Sequence, residues 1–111
     1  MTVFHPPEPG RHAHATFGFG GLIGALAGMS AAGLTTHEAN LESNRDSFRG
    51  FPWLLRLRYL LERADNLASA EDVWRATNNT VGCTPSLHHP TARPHRVCGD
   101  SFDLTSRPPL L

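Results

Sequence analysis

The chain has no lysine. All ten of its basic residues are arginine, and ten acids balance them to a formal net charge of zero. The sequence pI is about 7.1. A dedicated nucleic-acid binder normally presents a basic face, so this balance argues against that class. Cysteine is scarce. Cys83 and Cys98 are the only two, too few for a disulfide framework, and they do not fix a compartment. Charge is also missing locally. Between Ala15 and Thr36 there is no acid, lysine or arginine, a span long enough to cross a bilayer as a helix. Gly20, Gly24 and Gly28 even fall at the small-xxx-small spacing of packed membrane helices. Yet Gly18, Gly20, Gly21, Gly24, Gly28 and Gly33 each disfavour helix by about 1 kcal/mol relative to alanine. Bulky apolar residues are few, and the stretch starts too far from Met1, without a basic flank, for a secretory signal. A membrane role is therefore the weaker reading, with residues 15–36 as its only basis.

What this stretch does contain is a candidate turn. Gly28-Met29-Ser30-Ala31-Ala32-Gly33 has a glycine at each end. Such glycines serve where φ is positive or where a ligand or backbone comes too close for a β-carbon. Thr35 and Thr36, being β-branched, suit an extended chain beyond it. A turn that offers backbone N–H groups and the Ser30 hydroxyl has the parts of an oxyanion site.

The 111 residues suffice for one small domain with a modest core. Met1 to His5 reads as a strand ended by Pro6, Pro7, Pro9 and Gly10. His12 to Phe19 reads as a second strand, completing a hairpin, and about Leu34 to Asn40 as a third. Leu41 to Gly50 is polar and turn-like. Trp53, Leu57, Leu60, Leu61 and Ala64 recur at helical spacing, so a helix is expected from about Pro52 to Ala64, with Arg56, Glu62 and Arg63 turned outward. Ser69-Ala70-Glu71-Asp72 looks like a capped start, with the Ser69 hydroxyl accepting from the Asp72 N–H. A second helix should then run from about Ala70 to Thr77, joined to the first through Asn66 to Ala68. Beyond Gly82, five prolines mix with His, Arg, Ser and Thr without a sustained period. This composition predicts a disordered tail over residues 83–111.

The Gly28-Met29-Ser30-Ala31-Ala32-Gly33-Leu34 segment resembles a turn of N-terminal-nucleophile hydrolases. It is most similar to that of the acyl-coenzyme A:6-aminopenicillanic-acid acyltransferase-like cysteine peptidases, with choloylglycine hydrolases as cousins. Those families usually read Gly-Met-Asn-x-x-Gly-Leu here. The surroundings agree in order and spacing over residues 1–82. Thr2-Val3-Phe4-His5-Pro6 resembles the preceding strand, and Phe17-Gly18-Phe19-Gly20-Gly21-Leu22-Ile23-Gly24 the approach to the turn. Phe51 to Glu62 resembles the following helix, and Ala70-Glu71-Asp72-Val73 the next.

The resemblance implies α+β architecture: a fragment of a four-layer αββα fold, antiparallel strands followed by two helices. It implies hydrolysis or transfer of an amide or acyl group, on a small-molecule amide or acyl-coenzyme A type substrate, with no cofactor. In that chemistry a chain-terminal cysteine attacks a carbonyl, and its own α-amine, with an unperturbed pKa of ~8, acts as base. This chain departs from the pattern in three ways. The family nucleophile lies upstream of the segment matching Met1. Ser30 stands where the cousins carry an oxyanion asparagine, and a hydroxyl donates one hydrogen bond with shorter reach than an amide. Beyond the second helix the family continues with further strands and helices, which the proline-rich stretch replaces. The expectation is therefore a fragment lacking the remainder of the domain, or a reading frame that changes near Gly82, and a chain inactive alone. A non-catalytic interaction module that uses its apolar stretch as a partner face is the alternative.

Other candidates carry bland readings beside functional ones. Gly82-Cys83-Thr84 is similar to the self-cleavage triplet of these enzymes but follows the helices, so it reads as coincidence. Thr2 becomes a terminal nucleophile only if Met1 is removed, and the resemblance puts it inside a strand. His12-x-His14 places two imidazoles on one face of a strand. Cys83, His88, His89, His95 and Cys98 match no standard zinc module. His37 and Glu38 sit just past the turn as ordinary polar neighbours. Arg56 and Arg58 read as the solvated face of the first helix, or as contacts to an acyl donor. Asn78 and Asn79 read as a helix-end turn.

Overall fold

A computed structural model describes residues 1–40, 46–78, 80–81 and 83–90. Four strands come first: β1 (Thr2–His5), β2 (His14–Phe17), β3 (Ala27–Ser30) and β4 (Thr35–Asn40). Two helices, α1 (Trp53–Arg63) and α2 (Leu67–Ala76), precede a last strand, β5 (Cys83–His88). The strands form one sheet in the order β1-β2-β3-β4-β5, and every neighbouring pair is antiparallel. The architecture is α+β, as expected, with two more strands than the sequence reading supplied.

The hairpin of β1 and β2 follows from its punctuation. Pro6, Pro7 and Pro9 cannot extend the ladder. The chain reverses where Arg11 N donates to Glu8 O at 2.8 Å, with Gly10 at φ 72°. The second glycine-flanked segment divides differently from the expectation. Its turn is confined to Ala31–Gly33, with Gly33 at φ 90°. Gly28 lies inside β3, opposite Thr16 and Thr36, and has no positive φ. Its glycine is required by packing instead: a β-carbon there would run into Leu61 of α1 and stand 2.6 Å from Ala15 O. The uncharged stretch thus runs through β2, β3 and the start of β4, and among the described residues no helix is long and apolar enough to cross a membrane.

Residues directly opposite one another share a face of the sheet. Val3, Thr16, Gly28, Thr36 and Leu87 line up across all five strands. Because Gly28 abuts Leu61, this is the face under the helices. Here Leu34, Leu57, Leu60, Ala64, Ala70, Trp74, Leu87 and Ala25 form the core. The opposite face carries Phe4, Ala15, Met29, Thr35 and His88 in one row and Thr2, Phe17, Ala27, His37 and Ser86 in the next. No element of the described residues covers it.

The helix α1 buries Leu57, Leu60 and Leu61 as its period predicts. Arg56 departs from the expected outward face, being 1% exposed. Its guanidinium lies over the Trp74 ring at 3.4 Å and donates to Trp74 O, to Thr77 O at 2.6 Å and to Thr77 Oγ1 at 2.7 Å. A cation here satisfies carbonyls that the end of α2 leaves without an intrahelical donor. Glu62 is likewise buried.

The start of α2 also differs from expectation. Asn66, not Ser69, is the N-cap, and the two residues form a reciprocal capping box. The Asn66 side chain accepts from Ser69 N at 3.0 Å while the Ser69 hydroxyl accepts from Asn66 N at 3.1 Å. The Asn-x-x-Ser pair begins the helix three residues before the Ser69-Ala70-Glu71-Asp72 signal.

The strand β5 crosses the boundary expected at Gly82. It pairs with β4 from Thr35↔His88 to Asn40↔Cys83. Pro85 is tolerated because β5 is an edge strand, where a missing N–H costs little on the outer side. Residues 91–111, with His95 and Cys98, lie outside the described residues, as do 41–45, Asn79 and Gly82.

Gly28→Val forces a branched side chain into the contact between β3 and α1. The expected cost is about 2 kcal/mol or more, in the range of overpacked cores, read as a lower urea midpoint at unchanged slope. An unchanged midpoint would show that α1 does not sit against β3.

Candidate functional site

Ser30 ends β3 opposite His14, on the helix side of the sheet. Its Oγ is buried, and no group among the described residues hydrogen-bonds to it. The backbone donors of the turn are largely spent. Ser30 N donates to Leu34 O at 2.8 Å, Ala31 N to Ala13 O at 2.8 Å and Gly33 N to Ser30 O at 3.0 Å. These bonds close the β3–β4 hairpin and tie it to β2. They leave the turn as a structural corner with few donors for an oxyanion.

A denser polar cluster lies beside it in the same row of the sheet, under the first turn of the hairpin. His5 and His14, opposite each other on β1 and β2, stack with ring centroids 4.3 Å apart. His14 Nδ1 bonds to the His12 carbonyl at 3.0 Å. Since a carbonyl only accepts, Nδ1 carries the hydrogen. Nε2 then faces Glu62 Oε1 at 3.9 Å, with no hydrogen-bond partner among the described residues. Glu62 comes from α1 with a side chain 10% exposed. It accepts from Arg58 Nε at 2.9 Å and lies 3.7 Å from Arg11. A shallow hollow is lined by these groups with Pro6, Glu8 and His12.

His12 does not join His14 on a strand face. It precedes β2 and pairs with Asp65 at 2.8 Å. Arg58 reaches back to Ile23 O at 2.9 Å, so it braces the glycine-rich loop. The His12-x-His14 spacing is the one part of this cluster visible in the sequence. His5 and Glu62 reach it through strand register and helix placement, for which no local signal exists.

Burial pushes the His5 pKa below 6.5, helped by His14 and Arg58 and opposed by Glu62. On β4, burial raises the Glu38 carboxyl, with His37 opposing. Glu38 Oε2 has no hydrogen-bond partner among the described residues. His37 and His88 stack at 6.0 Å on the uncovered face, and His89 Nε2 donates to Ala32 O at 3.0 Å. Among the described residues, no three His, Cys, Asp or Glu are grouped to hold a metal ion. Thr2 opens β1 on the uncovered face, and the Met1 α-amine ahead of it donates to Gly18 O at 2.7 Å.

The uncovered face is the largest unsatisfied feature. On it Phe4 is 80% exposed, Met29 48% and Phe17 37%.

Comparison of this chain with family models, with curated proteins and with solved structures finds no match.

Two titrations test the electrostatics. The folded chain binds a proton at His5 less readily than the unfolded one does. His5 therefore contributes stability that is complete above pH 6.5 and is lost as pH falls through its lowered value. His5→Phe keeps the ring stack and should flatten that part of the melting temperature profile; an unaltered acid limb counts against the assignment. Glu38 has the opposite sign. Its raised value favours folding below about 4.5, and that contribution is lost as pH rises through the folded value. Glu38→Gln should raise the melting temperature at pH 7 and leave it nearly unchanged at pH 4. Equal shifts at both pH values would mean that the carboxyl is not desolvated.

Proposed function

We propose that this chain is one sheet-and-helix half of a four-layer αββα sandwich of the N-terminal-nucleophile hydrolase type. Its lineage chemistry is C–N amide hydrolysis or acyl transfer, and alone it is inactive. The observation that carries this reading is the two-faced sheet: five antiparallel strands, two helices on one side, and on the other two rows without Asp, Glu, Lys or Arg that carry exposed Phe4, Phe17 and Met29. A sheet dressed on one face only has the shape of half such a sandwich. The hairpin, the Gly33 turn and the two consecutive helices follow in the order that the family resemblance implies.

In a sandwich of this type the chemistry belongs between the sheets. Thr2, Thr35 and Ser86 are among the hydroxyls that the register puts on that face. Among the described residues none of them is hydrogen-bonded to an imidazole or a carboxylate, so none has an activating base. Ser30, the candidate oxyanion position, lies on the helix side and its turn donors are bonded internally. The same exposed face also favours a second reading, a non-catalytic interaction module that works through this surface.

The test is turnover of simple amides and acyl-coenzyme A thioesters by the purified chain. The expected rate equals the buffer background, for the native chain and for Ser30→Ala alike. Turnover that Ser30→Ala abolishes would overturn the inactive reading and place chemistry at the turn.

A further inference from the structure

We propose that His37, His88 and Met29 form a surface site for a copper(I) ion on the uncovered sheet face. The inference is independent of the hydrolase reading.

The first argument is placement. His37 lies in one row, opposite Ala27 and Ser86, while Met29, Thr35 and His88 make up part of the next. His37 is therefore diagonal to His88 on β5 and to Met29 on β3, and both diagonals run in the same sense. Diagonal neighbours on one face stand about 7–8 Å apart, within reach of long side chains. The first diagonal is already closed: the His37 and His88 rings stack with centroids 6.0 Å apart and planes 19° from parallel. Met29, 48% exposed, has room to turn its thioether toward His37. The end of β5 that carries His88 is pinned, because His89 Nε2 donates to Ala32 O in the β3–β4 turn.

The second argument is donors. His5 is bonded to Thr16, His12 to Asp65, His14 to the His12 carbonyl and His89 to Ala32 O. Among the described residues no group hydrogen-bonds to His37 or His88. The two imidazoles with both nitrogens unused are thus the two that are neighbours. Metal–imidazole bonds are about 2.0–2.1 Å long. Near-parallel rings at this separation reach that geometry by tilting their tips together, and the strands need not move.

The third argument is the identity of the ion. Among the described residues no third His, Cys, Asp or Glu joins the pair, which leaves the thioether as the third ligand. Glu38, next in the chain, lies on the helix side with Pro85. The two rows of the face contain no aspartate or glutamate, so oxygen-seeking Ca²⁺ and Mg²⁺ have no ligand here. Imidazole alone also suits zinc, but a thioether selects Cu(I). Three neutral donors match a monovalent ion, which needs no carboxylate to balance it.

Competition for Cu(I) between the full chain and bicinchoninate, under anaerobic ascorbate, tests the proposal. Cys83 and Cys98 are replaced by serine so that thiolates contribute nothing. Uptake of one Cu(I) per chain is expected, with shifts in the His37 and His88 ring resonances and none in those of His12. His37→Gln, His88→Gln and Met29→Leu should each weaken binding at least ~tenfold while the circular dichroism stays native, which separates ligand loss from unfolding. Zn²⁺ should bind more weakly and be indifferent to Met29→Leu. No uptake of Cu(I) overturns the proposal. So does uptake that survives any of the three substitutions, or Zn²⁺ bound as tightly as Cu(I).

Discussion

The fold depends on the absence of one β-carbon. Gly28 sits at the centre of the helix-side face, and Leu61 occupies the space that any other residue would fill. That contact lets α1 lie flat on β3, and further bonds fix it along its length. Ala25 N donates to Leu54 O, Arg58 reaches Ile23 O, and His12 N donates to Glu62 O. The last of these satisfies a carbonyl that the helix end leaves without an intrahelical partner. A helix tied at both ends to the loops flanking β2 and β3 determines what else becomes buried. Arg56 is caught between α1 and the end of α2, and Glu62 is drawn under the hairpin turn beside His14.

The polar cluster at the hairpin follows from that seat, and so does its electrostatic character. Glu62 would be a costly buried charge alone. Arg58 and Arg11 neutralise it from two elements, and His14 turns Nε2 toward it while Nδ1 is held by the His12 carbonyl. The cluster joins β1, β2 and α1 at an edge of the sheet where few apolar side chains remain to do so. Its first physical role is to fasten that edge, which is why the His5 titration reads out as stability.

Much of this was legible in the sequence where signals are local. Prolines and Gly10 mark the first hairpin, Thr35 and Thr36 mark β4, and the Leu57–Leu60–Leu61–Ala64 spacing marks α1. Legibility failed wherever a distant partner decides. Ala27-Gly28-Met29-Ser30 has almost no strand propensity and becomes a strand because β2 and β4 flank it. Cys83–His88 has a proline and three polar residues and looks like a tail, yet β4 offers an open edge. Arg56 has the period of an outward residue, and only the position of α2 makes it a buried one. At the start of α2, two capping patterns overlap, and Asn66 prevails because its box satisfies donors reciprocally.

The charge-free run from Ala15 to Thr36 has one physical origin with the uncovered face. A strand with one side in water alternates apolar and polar residues. Here β2 and β3 do not: Thr16 and Gly28 face the helices, while Ala15, Phe17, Ala27 and Met29 face outward. A run without charge on either side of a sheet is what a strand buried on both faces looks like. The sequence feature that imitates a membrane span is therefore carried by β2, β3 and the start of β4, with the helices packed on one side of them.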